Sequence, residues 1–443
     1  MAARSAILLT EPLFYRSEDF VIEFMAELTH AQIAQKVFIV LGGDTGRSRW
    51  IYHLYHAGFD ILLKISSIRC PLFSPLFLHL MLTTLRHISS LAIASLLLLA
   101  SPARADALDE AIQAEMQRQQ IPGLGLAVVK DGKIVREQGY GWANLEHQVA
   151  VSEKTIFQSG SVGKQFTAAL VLLLEKDGKL KLNDPVSKYL KNTPAIWKNI
   201  RIHHLLSHTS GLRDAEEKVN LHQDYRDQDL IRIAASVPLL FQPGEKWSYS
   251  NTGYHLLGFI CNQVGGKFYG EQLRERIFQP LGMQTRIINE RDIIMHRAAG
   301  YDVVDGQYKN QEWVSPSLNS TADGSLYLTA HDLALWDIAL RGEQILSTAM
   351  KQASWTPVKL NKGGNYPYGY GWAMSTMKHY TVVEHDGAWQ GFTTQFSRFV
   401  EPGLSIIILS NRSNALLGRI VDIVAANYLP DLQVDQSKFE GKK

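Results

Sequence analysis

Beyond residue 105, segments typical of β-strands stand at both ends of the chain, and helical patterns fill the middle. The segments are rich in β-branched residues and are bounded by turn signals such as Asp131-Gly132 and Pro402-Gly403. They cover residues 124–130, 133–140, 380–384, 391–400 and 404–409. Because an isolated hairpin is at best marginally stable, strands from both ends are expected to pair in one antiparallel sheet.

Two amphipathic segments predict helices that flank this sheet. Leu108, Ile112 and Met116 recur every fourth residue, and residues 417–428 carry apolar side chains on one face. Residues 162–290 are predicted to form an all-helical lobe. The predicted fold class is therefore α+β, and a ligand is expected in the crevice between the sheet and the lobe.

Residues 81–105 have the pattern of an export signal. Arg86 lies in a short basic region, residues 91–100 form an apolar core, and small residues occupy positions 103 and 105. A transmembrane anchor is the alternative, but this core is shorter than the roughly 18 apolar residues that such an anchor needs. Cleavage after Ala105 would leave a periplasmic or secreted protein without a stable membrane anchor.

Residues 1–80 are expected to be an upstream extension that is not part of the working protein, with translation starting at Met81. Within them, a strand-like run at 37–41 precedes Gly42-Gly43-Asp44-Thr45-Gly46, which faintly resembles a phosphate-binding loop. The full glycine spacing is missing, so no nucleotide site is predicted. The working domain is placed at residues 106–443.

The charge balance does not suggest a nucleic-acid partner. The chain has 45 Lys and Arg against 43 Asp and Glu, and 36 of each remain beyond residue 105. Cys261 is then the single cysteine, which excludes an intrachain disulfide and a four-cysteine zinc site. No cofactor is predicted.

Ser161-Val162-Gly163-Lys164 is the first motif that carries chemistry. It precedes an apolar run at 166–174, which predicts a buried helix. Three residues are nearly one helical turn, so the Lys164 amine would lie beside the Ser161 hydroxyl at the positive end of the helix dipole. A desolvated, neutral lysine could then help to remove the hydroxyl proton. Ser375-Thr376-Met377-Lys378 has the same spacing between strand-like runs, which indicates a hairpin surface.

Tyr249-Ser250-Asn251 is the second motif, on a loop that leads into a helix predicted at 255–264. Alternate side chains of such a loop can face one cleft, so Tyr249 could transfer protons and Asn251 could hold a substrate carbonyl or amide. In isolation, a core tyrosine followed by an asparagine helix cap is the commoner explanation. Tyr308-Lys309-Asn310 also matches, in a polar turn.

His385-Asp386-Gly387 follows a valine-rich strand and is the third motif. Glycine in a strand often marks the close approach of another backbone or of a ligand. The Ala388 and Ser161 amides could then form an oxyanion hole, with His385 as a polar donor, although a single histidine is more often packed or exposed.

His203, His204 and His208 raise the alternative of a metal hydrolase, since two of them have an i, i+4 spacing on a possible helix. An acidic third ligand and a second histidine cluster are missing at any recognisable spacing. No metal site is predicted.

The three motifs, in this order, resemble the serine β-lactamase and penicillin-binding superfamily, in the class C-like branch that includes D-alanyl-D-alanine carboxypeptidases. The resemblance extends over residues 107–429, nearly the whole chain beyond the export signal. Further matching segments are residues 205–212, 242–258, 280–283 and 322–324.

The resemblance implies a β-lactamase/transpeptidase-like fold and acyl transfer through an ester on Ser161, with proton transfer shared by Lys164 and Tyr249. The residues that it places at the substrate are Asn251, His385, Gly387 and Ala388. Many β-lactamases of this branch have a lysine at the position of His385, where its charge engages the substrate carboxylate. A histidine there is familiar among peptidases and esterases of the superfamily.

The expected substrate is therefore a small molecule or a peptide, including peptides derived from peptidoglycan: a cell-wall D-alanyl peptide, a D-amino acid peptide, a small ester or a β-lactam. The alternative is a penicillin-binding sensor that is acylated at Ser161 without turnover. The loops at 214–228 and 302–321 are expected to shape the pocket.

Overall fold

The computed structural model describes residues 107–215, 218–289 and 291–432, together with the backbone of residues 19–25 and 36–42. The chain divides into two units, Met1–Ala103 and Arg104–Lys443. In the first unit, strand β1 (Asp19–Met25) pairs antiparallel with β2 (Lys36–Gly42), which confirms the strand predicted at 37–41. The glycine-rich positions 43–46 and the export signal predicted at residues 81–105 lie outside the described residues.

The second unit is built on a seven-stranded sheet in which all neighbouring strands run antiparallel. The strands, in spatial order, are β13 (Ala373–Met377), β14 (Tyr380–Trp389), β15 (Phe392–Phe399), β16 (Leu404–Ser410), β3 (Gly123–Lys130), β4 (Lys133–Asn144) and β5 (Val149–Ala150). The two ends of the chain meet where β16 pairs with β3, from Leu404 opposite Lys130 to Ser410 opposite Leu124. The prediction of one shared sheet is confirmed.

The hairpins predicted at Asp131-Gly132, at Pro402-Gly403 and at the second Ser-x-x-Lys motif are all present. Asp131 and Gly132 both have positive φ, at 50° and 77°, as the tight turn between β3 and β4 requires. Lys378, with φ at 54°, turns the chain from β13 into β14. The second Ser-x-x-Lys motif therefore lies on a hairpin, as predicted.

Two terminal helices cover one face of the sheet. Helix α1 (Ala107–Gln119) and the helix at the C-terminal end, α9 (Gly418–Tyr428), share an apolar cluster with inward side chains of the two central strands. Alternate residues of β3 and β16 belong to this cluster and to the larger cluster on the opposite face. Because both faces are covered, the two central strands are continuous apolar runs, which made them easy to recognise.

The helical lobe packs on the opposite face. Its central helix, α2 (Lys164–Lys176), is buried at every residue from 164 to 174. The other helices of the unit are α3 (Ile202–Leu206), α4 (Asp227–Ala235), α5 (Asn251–Gly265), α6 (Tyr269–Leu273), α7 (Ala330–Arg341) and α8 (Thr348–Ser354). A capping box formed by Thr329 and Asp332 begins α7. No helix among the described residues has the length and apolarity needed to cross a membrane.

Shorter strands complete the unit. Among residues 162–290, β7 (Arg286–Ile287) is a two-residue strand that pairs with β10 (Leu326–Leu328), which in turn pairs with β6 (Phe157–Gln158). The hairpins β8 (Tyr301–Val304) with β9 (Gln307–Asn310), and β11 (Val358–Lys359) with β12 (Asn365–Tyr366), lie in the later connections.

Candidate active site

Ser161 lies in a 3-10 turn, Gly160–Gly163, that leads directly into α2. This turn packs closely against β14. A Cβ on Gly387 would lie 2.4 Å from the Ser159 carbonyl oxygen, and a Cβ on Gly160 would lie 2.5 Å from the Ala388 nitrogen. Glycine is therefore required on both sides of the contact, which is the close approach expected of a glycine in a strand.

The Ala388 amide lies at an open edge of the sheet. The two-residue turn after Trp389 makes Trp389 and Phe392 a hydrogen-bonded pair, so Ala388 and Thr393 form the next, non-hydrogen-bonded pair. The N–H of Ala388 thus points away from β15 and toward the Gly160 turn. Strand β13 does not cover this edge, because its pairing ends at Ala373 opposite Glu384. An oxyanion hole formed with the Ser161 amide remains a prediction.

Lys164 is the first residue of α2, and its side chain is completely buried beside Ser161. Its amine lies 2.9 Å from the Ser161 hydroxyl, 2.8 Å from the Asn251 side-chain oxygen and 2.7 Å from the Asp323 carbonyl oxygen. Burial lowers the pKa of Lys164 to about 8, although nearby carboxylates act in the opposite direction. The neutral amine is therefore accessible close to neutral pH.

Tyr249 also lies at this site. Its phenol is near enough to the Ser161 hydroxyl to interact with it, and the Lys164 amine lies 4.9 Å from the centre of its ring. Burial raises the pKa of Tyr249 well above its ordinary value, so the phenol holds its proton at neutral pH. Tyr249 can accept a proton only as it passes one on.

The loop before α5 brings Tyr249 and Asn251 to the same cleft. Ser250 between them is extended, with φ −149° and ψ 113°, so its two neighbours point to the same side. The Ser250 side chain caps α5 by accepting from the Gly253 amide at 3.2 Å. The Asp214 carboxylate accepts from the Ser250 hydroxyl and from the Asn251 and Thr252 amides, each at 2.8 Å. The helix cap is therefore Ser250, and the Asn251 side chain is left for Lys164.

His385 is buried, and both of its ring nitrogens have partners within the protein. Nε2 lies 2.8 Å from the Tyr368 hydroxyl, and Nδ1 lies 2.5 Å from the Asp386 carbonyl oxygen. The Tyr368 hydroxyl is also 3.2 Å from Nε2 of His208, whose Nδ1 accepts from the Ser250 amide at 3.2 Å.

The direction of these hydrogen bonds follows from the Ser250 amide, which can only donate. His208 therefore carries its proton on Nε2 and donates to Tyr368, and Tyr368 donates to His385. His385 then donates from Nδ1 to the Asp386 carbonyl. Burial and, to a lesser extent, the Lys164 charge lower the pKa of His385 to about 4, and burial lowers the pKa of His208 well below its ordinary value. Both imidazoles are neutral.

The structure thus places Ser161, Lys164, Tyr249 and Asn251 in direct contact, with Gly387 and Ala388 against the same turn. The three histidines considered for a metal do not form one cluster. His203 and His204 pack on one another, whereas the ring of His208 packs at a tilt against Tyr249, with the ring centres 4.3 Å apart. Over the described ranges, no three His, Cys, Asp or Glu side chains form a group that could hold a metal. The positioning residues that sequence reasoning missed are Asp214, Tyr368 and the polar role of His208.

Comparisons with known proteins show the family to which the chain belongs. The family model described as Beta-lactamase matches residues 108–426. This chain belongs to the beta-lactamase family. Penicillin-binding protein 4* of Bacillus subtilis (strain 168) is 31% identical over 315 residues, which are 67% of this chain and 69% of that protein. The D-aminopeptidase of Gluconobacter oxydans (strain 621H) is 27% identical over 328 residues, which are 72% of this chain and 61% of the aminopeptidase.

Two solved structures show the same fold. The octameric penicillin-binding protein homologue from Pyrococcus abyssi has a TM-score of 0.67 at 28% identity, covering 73% of this chain and 77% of that one. The D-amino acid amidase from Ochrobactrum anthropi SV3, in complex with L-phenylalanine, has a TM-score of 0.64 at 25% identity and covers 73% of this chain and 99% of the amidase. The predicted β-lactamase/transpeptidase-like fold is confirmed, and the family includes hydrolases.

Proposed function

We propose that this protein is a serine hydrolase that forms an acyl-enzyme on Ser161 and hydrolyses an ester or amide. The observation that carries this proposal is the 2.9 Å contact between the Lys164 amine and the Ser161 hydroxyl in a buried site. A serine hydroxyl is a poor nucleophile while it holds its proton. Burial favours the neutral form of the Lys164 amine, and this form can accept the hydroxyl proton.

In this mechanism, neutral Lys164 accepts the Ser161 proton as Oγ attacks the substrate carbonyl carbon. The Ser161 and Ala388 amides hold the oxygen of the tetrahedral intermediate. The proton then passes from Lys164 through Tyr249 to the leaving nitrogen or oxygen, whose bond to the carbonyl carbon breaks. Water attacks the resulting ester, the acid is released, and Ser161 regains its proton.

The names of the relatives indicate which substrates to test. A D-aminopeptidase and a D-amino acid amidase favour amides or peptides of D-amino acids. The penicillin-binding relatives favour peptidoglycan-derived peptides or β-lactams. Action on a substrate outside the cytoplasm also agrees with the export signal predicted at residues 81–105, and this prediction supports a periplasmic or secreted location.

A penicillin-binding sensor that is acylated at Ser161 but does not turn over is the second candidate. It is favoured by the relatives named penicillin-binding proteins, since it needs the same nucleophile and lysine.

Steady-state hydrolysis distinguishes these functions. With a p-nitrophenyl ester, nitrocefin and D-amino acid amides as substrates, we expect continuous product release that falls by at least about 10³-fold in Ser161→Ala. Ser375→Ala, in the motif of the same spacing on the β13–β14 hairpin, is the matched control and should retain activity. A burst of one equivalent that then stalls indicates the sensor. Full turnover in Ser161→Ala refutes both candidates.

A further inference from the structure

The candidate active site is surrounded by carboxylates. Asp323, Asp214 and Asp386 all act on Lys164, and each raises the pKa of its amine. Two of these carboxylates have structural partners. Asp214 accepts three hydrogen bonds at the start of α5, and Asp323 lies 3.1 Å from His255. The third, Asp386, is different.

Asp386 is exposed and stands between His385 and Gly387 on β14. Among the described residues, no side chain or backbone group forms a hydrogen bond or ion pair with its carboxylate. It is nevertheless close enough to act electrostatically on Lys164, Tyr249, Tyr368 and His385. An exposed carboxylate without a partner among the described residues therefore acts on the buried groups of the site.

The position of Asp386 along β14 places it near the Ala388 amide. Asp386 and Ala388 are two residues apart in β14, so their side chains share one face, and both residues are exposed. Two residues span about 7 Å of strand. A substrate whose carbonyl oxygen is held by the Ala388 amide would have its neighbouring groups along this edge within reach of Asp386.

No cation on the same strand offsets this charge. His385 precedes Asp386, but both of its ring nitrogens are engaged by Tyr368 and by the Asp386 carbonyl. A neutral imidazole with both nitrogens occupied cannot pair with a substrate carboxylate. The charge that a substrate meets at this edge is therefore negative.

We propose that Asp386 selects substrates that carry an ammonium group near the scissile carbonyl and disfavours those that carry a carboxylate there. The inference rests on the proposed function, because it concerns the same cleft and the same Ala388 amide. It favours amides and esters of amino acids with a free amine over carboxylate-bearing β-lactams and peptides that end in a free carboxylate.

The test uses three p-nitrophenyl esters that differ in charge. The cationic ester is the 4-(trimethylammonio)butanoate, its neutral isostere is the 5,5-dimethylhexanoate, and the anionic ester is the 4-sulfobutanoate. In the full chain we expect kcat/KM to fall in the order cationic, neutral, anionic. Asp386→Asn should lower the cationic-to-neutral ratio by about three- to tenfold, as expected for solvent-exposed unit charges about 7 Å apart at an effective dielectric constant of roughly 40 to 80. Added salt should lower the same ratio in the unmodified protein.

Asp131→Asn is the matched control. It neutralises an exposed carboxylate in the β3–β4 turn, at the opposite end of the sheet from Ala388 according to the strand register. This control should leave all three rates unchanged. Preference for the anionic ester, or a cationic-to-neutral ratio that is the same in Asp386→Asn, would overturn the inference. If either result is found while turnover still depends on Ser161, only the role of Asp386 is refuted. Turnover that persists in Ser161→Ala refutes the proposed function itself.

Discussion

Replacing Lys164 by methionine is expected to lower kcat/KM for ester hydrolysis by about 10³-fold, within the range typical of a lost general base. Methionine has a similar length and fits a buried site, but it cannot accept the Ser161 proton. The measurement is the second-order rate constant for p-nitrophenyl ester hydrolysis at pH 8. Lys378→Met, in the second motif of the same spacing, is the control and should react at the unmodified rate.

The same variant also tests whether the loss is chemical or structural. Lys164 is completely buried, so exchanging it for an apolar side chain removes a desolvation cost while leaving the Asn251 and Asp323 oxygens without their donor. These two effects oppose one another in the free energy of unfolding. Lys164→Met is therefore expected to remain folded and to show a cooperative transition in thermal unfolding. A folded Lys164→Met protein with more than a tenth of the original activity would contradict the role of the lysine.

The pH dependence of kcat/KM is the second large effect. Because burial lowers the pKa of Lys164 to about 8, the base is protonated below this value and neutral above it. The rate should rise about tenfold per pH unit up to about pH 7, and by about fifty-fold between pH 6 and pH 8, before it levels off near pH 9. The measurement is a pH profile with a substrate whose own charge does not change in this range.

The profile also distinguishes Lys164 from the other titratable groups of the site. The pKa of His385 is lowered to about 4, so this residue stays neutral throughout the measured range. The pKa of Tyr249 is raised well above its ordinary value, so a tyrosinate base would give a rate that still rises above pH 10. An inflection near 6.5, or a flat profile from pH 6 to 9, would contradict lysine as the base.

The fold could be predicted because its central strands, turns and helices can be recognised from short stretches of the sequence. The strands β3 and β16 contain the continuous apolar runs 124–129 and 406–409, and the Asp131-Gly132 pair is typical of a tight hairpin turn. The apolar faces of α1 and α9 pack on the same face of the sheet. The short β7 was not predicted, because a two-residue strand has no periodicity and depends on pairing with β10.

The Ser161–Lys164 contact could be predicted because both residues lie within one helical turn. The roles of Asp214 and Tyr368 could not. Asp214 binds amides 37 and 38 residues further along the chain, and the Tyr368 hydroxyl meets His208 across a separation of 160 residues. Contacts between residues so far apart in the chain produce no recognisable spacing pattern in the sequence. His208 illustrates the consequence, because its neighbouring histidines suggested a metal whereas its ring is part of a neutral hydrogen-bonded chain.

The central claim is that a substrate acyl group is carried by the hydroxyl of one serine. Acid-quenched turnover of a slowly released ester, followed by peptide mapping with mass spectrometry, tests it most directly. The peptide containing Ser161 is expected to gain the mass of the acyl group and to lose it as product appears. An adduct on any other residue, or steady turnover with an unmodified Ser161 peptide at every time point, would contradict it.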